Sequence, residues 1–354
     1  MKTLYNLLLI LPIIVFGNEI DLGKFTKQKE IKKAYIVNSD AGISIKNTYG
    51  SVYVTTWDED KIELFVNIKV SGDNEKWVQK RIDDIDVNIE ALKSMVTAET
   101  ILTKSLYSFN GKDNSFEINY TIKIPKNGSV KINNKYGSII TTDLFANTNL
   151  NCEYGKLTLG RLNGNSNSIA FDYCPKSTIE YLKNGSISAD YSGFTLTDFG
   201  KVALNADYTD CTIGNGSDLR YDCNYGKLSL GNINTVEGKG DYLSFRIKQV
   251  SNTLKIRTDY SKITVDEIDA KTNAVIIDCE YTAVDLKFAP DFYFNFDVDL
   301  KYANFKYDKD LEFNSKQETA FAKNYQGFYK KSGGSKINIQ SGYGNVSLTK
   351  KINQ

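Results

Sequence analysis

Along most of the chain, apolar and polar residues alternate in short runs, and each run is broken by a tyrosine. Taken as a marker, that tyrosine recurs at Tyr136, Tyr154, Tyr173, Tyr191, Tyr208, Tyr225, Tyr242, Tyr260, Tyr281 and Tyr302, at spacings of 17 to 21 residues. Tyr49, in TYGSVYV, and Tyr343, in GYGNVSL, are further clear copies, and Tyr325, in NYQGF, is a degenerate one. Four residues before the marker the chain is apolar or aromatic except at Gly238, and three after it except at Lys176. Five residues after, the exceptions are Thr141 and Thr178; eight after come Leu144, Leu162, Tyr181, Phe199, Ile233, Val250 and Ile268.

Alternation on both sides of the tyrosine predicts two half-buried strands per repeat. The parity of the apolar positions flips between them, which requires one extra residue in a bend just after the tyrosine. Gly, Ser and Thr are frequent there, as a tight bend wants. A coil of this length cannot bury its own apolar row, and stacking coil on coil buries all rows together. The expected architecture is all-β: a parallel β-solenoid of 17–21-residue coils, right-handed by the crossover rule. With strands about 4.8 Å apart, the stack makes a rod on the order of 50 Å long. A large antiparallel β-sandwich is the competing architecture, since turn signals every 8 to 12 residues or so also suit it. In the solenoid reading, the near-identical nonapeptides CEYGKLTLG (from Cys152) and CNYGKLSLG (from Cys223) are the same stretch four coils apart.

The expected organisation is a signal peptide over 1–17, a first coil with an α+β insertion over 18–128, and repeats over 129–354 with a looser stretch at 307–334. Within the insertion, 61–70, 85–89, 96–102 and 116–124 read as strands, 75–84 as a helix and 106–114 as a polar loop. Open solenoid ends expose unpaired backbone, so this insertion is the natural N-terminal cap. The opening MKTLYNLLLILPIIVFGNE has a positive start, a short apolar run and a small residue at Gly17. It reads as a secretory signal rather than a membrane span. No later apolar run is long enough to span a membrane, so the mature protein is expected to be soluble and exported.

Lys and Arg number 44 against 43 Asp and Glu, a balance that gives no support to a nucleic-acid partner. Histidine is absent, which excludes Ser-His-Asp and Cys-His pairs and His-ligated zinc. The five cysteines are scattered singly and indicate no disulfide framework.

NTYGSVYVTTWDEDKIELFVNIKVSG, TIKIPKNGSVKINNKYGSIITTDL and the serial YG-type coils resemble bacterial adhesin-like β-solenoid domains of the autotransporter-adhesin head type, from about Val37 onward. The tyrosine-glycine coils and the Trp57-Asp58 pair carry the resemblance. It implies export to the cell envelope and adhesion or scaffolding, and it brings no catalytic residues. No outer-membrane barrel is visible at the C-terminus.

Four columns are candidate sites. The tyrosines, by parity, face inward at a corner and stack as a packing ladder; an aromatic stripe for glycan or protein contact is the functional alternative. The residue before each tyrosine points outward. Its carboxylates, Asp172, Asp190, Asp207, Asp241, Asp259 and Glu280, could hold a cation weakly or, the preferred reading, cap their own bends. Cys152, Cys223 and Cys279 are expected as buried thiols, and Thr158, Thr195, Thr212, Ser229 and Thr264 as a solvated hydroxyl column. No cofactor is expected. The best functional reading is a non-enzymatic, envelope-associated binding or structural solenoid whose partner is a surface, a glycan or an envelope protein. A β-helix polysaccharide lyase or glycosidase, and a periplasmic scaffold or sensor accessory, are the alternatives.

Overall fold

The computed structural model describes residues 23–103 and 114–352. The expected signal peptide and nearly all of the expected loop at 106–114 lie outside these residues. Among the described residues 26 strands join into one sheet. Strands preceding the tyrosines stack in parallel and in register, from Gly42–Thr48 through Val130–Lys135, Thr148–Glu153 and Asn167–Asp172 onward. Strands following the tyrosines do the same, from Val52–Trp57 through Ser138–Thr141 and Lys156–Leu162 onward. In the middle of the stack the two merge, and Gly193–Asp207 and Asp210–Asn224 each cover almost a whole coil. Antiparallel pairing is confined to the two ends, so the chain is a parallel β-solenoid and not a sandwich.

The core is the set of inward columns. In one coil Phe194, Leu196, Phe199, Val202, Leu204 and Ala206 are all buried. Each large apolar side chain contributes about 1.5–3 kcal/mol on burial. The apparent breaks in the columns have local causes. Lys176 is an inserted residue at φ 59. Thr158 therefore pairs with Thr178 and Leu162 with Leu182. Ser177, 1% exposed, takes the inward place and accepts the Leu157 N–H at 3.1 Å. Leu182, not Tyr181, fills the third row. Gly238 and Gly216 sit where an aromatic from the preceding coil already fills the space: a Cβ would meet the Tyr221 ring at 2.3 Å and the Phe199 ring at 2.2 Å, respectively.

The largest departure from the sequence order is at the C-terminus. Strand Ala274–Glu280 pairs with Ser335–Gly342, which in turn pairs with Phe294–Lys301. Likewise Ala283–Phe288 pairs with Val346–Lys350, which pairs with Phe305–Tyr307. The last coil thus lies between two coils that are consecutive in sequence. The stretch expected to be loose is an antiparallel hairpin of Leu311–Glu318 and Ala322–Tyr329. Ala322–Tyr329 covers the outer edge of Phe294–Lys301, and the chain then returns to that strand's inner edge. Tyr325 is therefore no marker: it is buried in this hairpin and its hydroxyl donates to Glu318.

At the other end, Met95–Leu102 and Ser115–Pro125 lie on the first coil. Lys61–Gly72 and then Phe25–Ile36 extend the layer antiparallel. The helix Glu75–Asp83 starts at Asn74, whose side chain accepts the Trp77 N–H, and buries Val78 and Ile82. The outermost strand reads FTKQKEIKKAYI; its lysines discourage edge-to-edge pairing with another chain.

Candidate functional site

The marker tyrosines do not face the core. All twelve occupy the left-handed region, at φ between 48 and 59. A residue in this conformation leaves the strand pleat, so the tyrosine is itself the extra residue that flips parity, and its side chain swings out. From Tyr136 onward the tyrosines are 44–56% exposed. Left-handed backbone costs a non-glycine residue about 1–2 kcal/mol. Two interactions offset this. Each tyrosine N–H donates to the next layer of the stack, as Tyr191 to the Asp207 carbonyl at 3.1 Å and, at the end, Tyr302 to the Phe321 carbonyl at 2.8 Å. Each ring stacks on its neighbours, a contact worth about 0.5–1.5 kcal/mol per pair.

Successive ring centroids from Tyr49 to Tyr281 lie 4.8–5.3 Å apart. The ladder continues to Tyr343 at 4.8 Å and then to Tyr302 at 5.0 Å. Phe116 closes one end, against Tyr49, and Phe321 the other, against Tyr302. Because the ring faces pack on each other, the stripe offers solvent the ring edges and phenol hydroxyls. At strand spacing it runs on the order of 50 Å.

Beside the ladder runs the carboxylate column. Asp190 Oδ1 accepts the Asp207 N–H at 3.1 Å. Asp207 Oδ1 accepts the Asn224 N–H at 3.1 Å and its side-chain amide at 2.9 Å. Asp241 and Asp259 accept from Asp259 and Glu280, both at 2.8 Å. These groups thus cap the next coil rather than their own bend. The bend N–H groups are taken by hydroxyls one residue past the tyrosine: Cys174 N–H donates to Ser192 Oγ at 3.0 Å and Ser192 N–H to Thr209 Oγ1 at 3.1 Å. Desolvation, with the charges of Asp190 and Glu153, pushes the Asp172 carboxyl above its usual range. Among the described residues no group of three or more His, Cys, Asp or Glu is placed to hold a metal ion.

All five cysteines are unpaired and buried. Burial pushes the Cys223 thiol up to about 12 and the Cys279 thiol up to about 11. Neither supplies appreciable thiolate at neutral pH. The hydroxyl column is outward, and the one-residue insertion places Thr178 between Thr158 and Thr195.

A second feature was not visible as a site in the sequence. Where the first coil meets the N-terminal layer, Thr56, Trp57, Asp58, Lys126, Asp143 and Phe145, with Thr142, line an open cavity of about 320 Å³. The Lys126 N–H donates to the Trp57 carbonyl at 2.9 Å, and Thr56 Oγ1 donates to the Asp143 carbonyl at 3.2 Å. Trp57 Nε1 donates to the Lys61 carbonyl at 2.8 Å, which fixes the indole. Only the Trp57-Asp58 pair had stood out; its partners lie far along the chain.

No protein-family model matches the chain, and no curated protein matches it. Solved structures do. A protein of Parabacteroides distasonis provisionally named an adhesin is 14% identical, over 72% of this chain and 95% of its own, with a TM-score of 0.39. One of Bacteroides fragilis, also provisionally named an adhesin, is 12% identical over 91% and 97%, with a TM-score of 0.31. One of Clostridium sporogenes, provisionally named a cell adhesion protein, is 14% identical over 92% and 100%, with a TM-score of 0.21. Among the described residues no helix is long and apolar enough to cross a membrane.

Proposed function

We propose that this protein is a non-enzymatic, adhesin-like binding solenoid that works in the cell envelope after export, and that it engages an extended surface ligand, a glycan or a partner protein, along the tyrosine ladder. The observation that carries this reading is the continuous row of half-exposed phenols, stacked at 4.8–5.3 Å along the stack. Such a row presents many identical, rigid contact points whose weak individual affinities sum when engaged together. Tyrosine suits contact surfaces, since it offers amphipathic area at low conformational cost. The raised thiols and the absence of histidine favour binding over catalysis. The apolar opening run, Leu7 to Phe16, favours export.

The test is adhesion of the exported chain to bacterial and host-surface polymers. It compares the native protein with a variant carrying Tyr191→Ser, Tyr208→Ser and Tyr225→Ser that keeps its circular dichroism spectrum. Loss of adhesion in the variant supports the ladder as the binding surface. Undiminished adhesion rejects it.

A further inference from the structure

We propose that the cavity at Trp57 and Phe145 is a saccharide-binding site that receives a single pyranose unit, separate from the tyrosine ladder. Its size, about 320 Å³, is at the lower end for small-molecule sites, which suits one sugar ring better than a cofactor. Its chemistry is mixed in the way a sugar requires. Indole and phenyl surfaces take the apolar C–H face of a pyranose, and convergent polar groups fix its hydroxyls.

The polar groups are in place. Asp143 uses Oδ1 to accept the Arg161 N–H at 3.0 Å, which anchors the carboxylate and leaves its other oxygen for a ligand hydroxyl. Asp58 supplies a second carboxylate on the rim, and hydrogen bonds from a hydroxyl to an ionised acceptor are the stronger kind. The Lys126 ammonium lies 4.9 Å from the Phe145 ring centroid, where it can donate to a ring oxygen while holding the phenyl in position.

The aromatic groups are positioned rather than buried. Phe145 is 40% exposed, without a core role that would explain a large apolar side chain there. The ammoniums of Lys61 and Lys123 both sit over the indole, at 4.8 and 5.1 Å. Both pair with Glu63, at 2.9 and 3.9 Å. The shared carboxylate holds both ammoniums against the indole, and Trp57 is itself one of the residues that line the cavity. The bond from the Lys126 N–H to the Trp57 carbonyl and that from the Thr56 hydroxyl to the Asp143 carbonyl lock together the three segments that form the walls. The site is therefore built by the fold and needs no closure to form.

The test uses the full chain on a printed array of bacterial and host oligosaccharides. Titration calorimetry with the best-bound free oligosaccharide follows. Binding is expected to weaken at least about tenfold, 1.4 kcal/mol, in Phe145→Ala and in Asp58→Asn. Both positions are on the surface, so melting temperature is expected to be unchanged. The triple serine variant of the ladder is expected to bind the oligosaccharide as the native protein does, which separates failure of this site from failure of the ladder. An array with no specific signal overturns the proposal. So does saccharide binding that survives both cavity variants, or saturable binding of a peptide library in the cavity in place of sugars.

Discussion

The rings of Tyr281 and Tyr343 stack 4.8 Å apart and within 4° of parallel, although the coil of Tyr302 lies between them in sequence. The Tyr281 N–H donates to the Gly342 carbonyl, and the Tyr343 N–H to that of Lys301. The final coil is thus an internal layer of the stack. Ending the chain at Gly334 should strand Phe294–Lys301 and its hairpin with no parallel partner. Hydrogen-exchange mass spectrometry of that truncation is expected to show loss of amide protection over 294–329, with the coils around Tyr191 to Tyr225 still protected. Retained protection over 294–329 would contradict the intercalated order.

The left-handed tyrosines make a prediction about backbone strain. Tyr208→Ala loses two stacking contacts, about 1–3 kcal/mol, and keeps the unfavourable φ of 51. Tyr208→Gly loses the same contacts and relieves the backbone by about 1 kcal/mol. Chemical denaturation is expected to rank the glycine variant as the more stable of the two, with Tyr208→Phe near the native protein.

Inward and outward neighbours should differ sharply. Ile187 is 1% exposed, and Ser188 is on the outer face between Ala170 and Asn205. Ile187→Asp is expected to cost several kcal/mol, roughly 3 or more, and Ser188→Asp about 0.5 kcal/mol or less. Equal unfolding midpoints would mean the register is wrong.

For the carboxylates, capping rather than chelation is the expectation. Asp207→Asn keeps an acceptor for the Asn224 N–H and relieves repulsion, while Asp207→Ala loses both bonds that Asn224 donates, each worth about 1 kcal/mol. Melts should therefore place Ala below Asn, with no dependence on calcium. A calcium-dependent gain in the native protein, absent from both variants, would point to a metal ladder.

Asp172 predicts a pH effect of defined sign. Its folded carboxyl is raised by desolvation and by Asp190 and Glu153. Ionisation is therefore harder in the fold than in the unfolded chain. The favourable state is the protonated one, fully present below the unfolded value of about 3.9 and lost as pH rises through the raised folded value. Asp172→Asn should match the native protein in melting temperature near pH 3 and exceed it near pH 7. An advantage that shrinks with rising pH would reverse the assignment.

Much of this architecture was legible because apolar columns at fixed offsets from a tyrosine have no simpler explanation than stacked coils. Ile132, Leu150, Ile169 and Ile187 do stack as that spacing required. The tyrosine's direction was not legible, since parity arguments assume extended backbone and a left-handed residue breaks that assumption. The insertion at Lys176 was hidden because counting from Tyr173 misplaces everything after it by one. The place of the last coil was hidden because chain order and stacking order are different quantities. The Trp57 cavity joins segments from the first coil, the end of the N-terminal layer and the second coil, a proximity no local pattern encodes.

The ladder's pitch is not a free variable. It is set by the distance between hydrogen-bonded strands, about 4.8 Å, which no side-chain substitution alters. The surface can therefore change only in whole coils: adding one lengthens the comb by one tooth, removing one shortens it, and substitution reaches the residues flanking each tooth but not the gap between them.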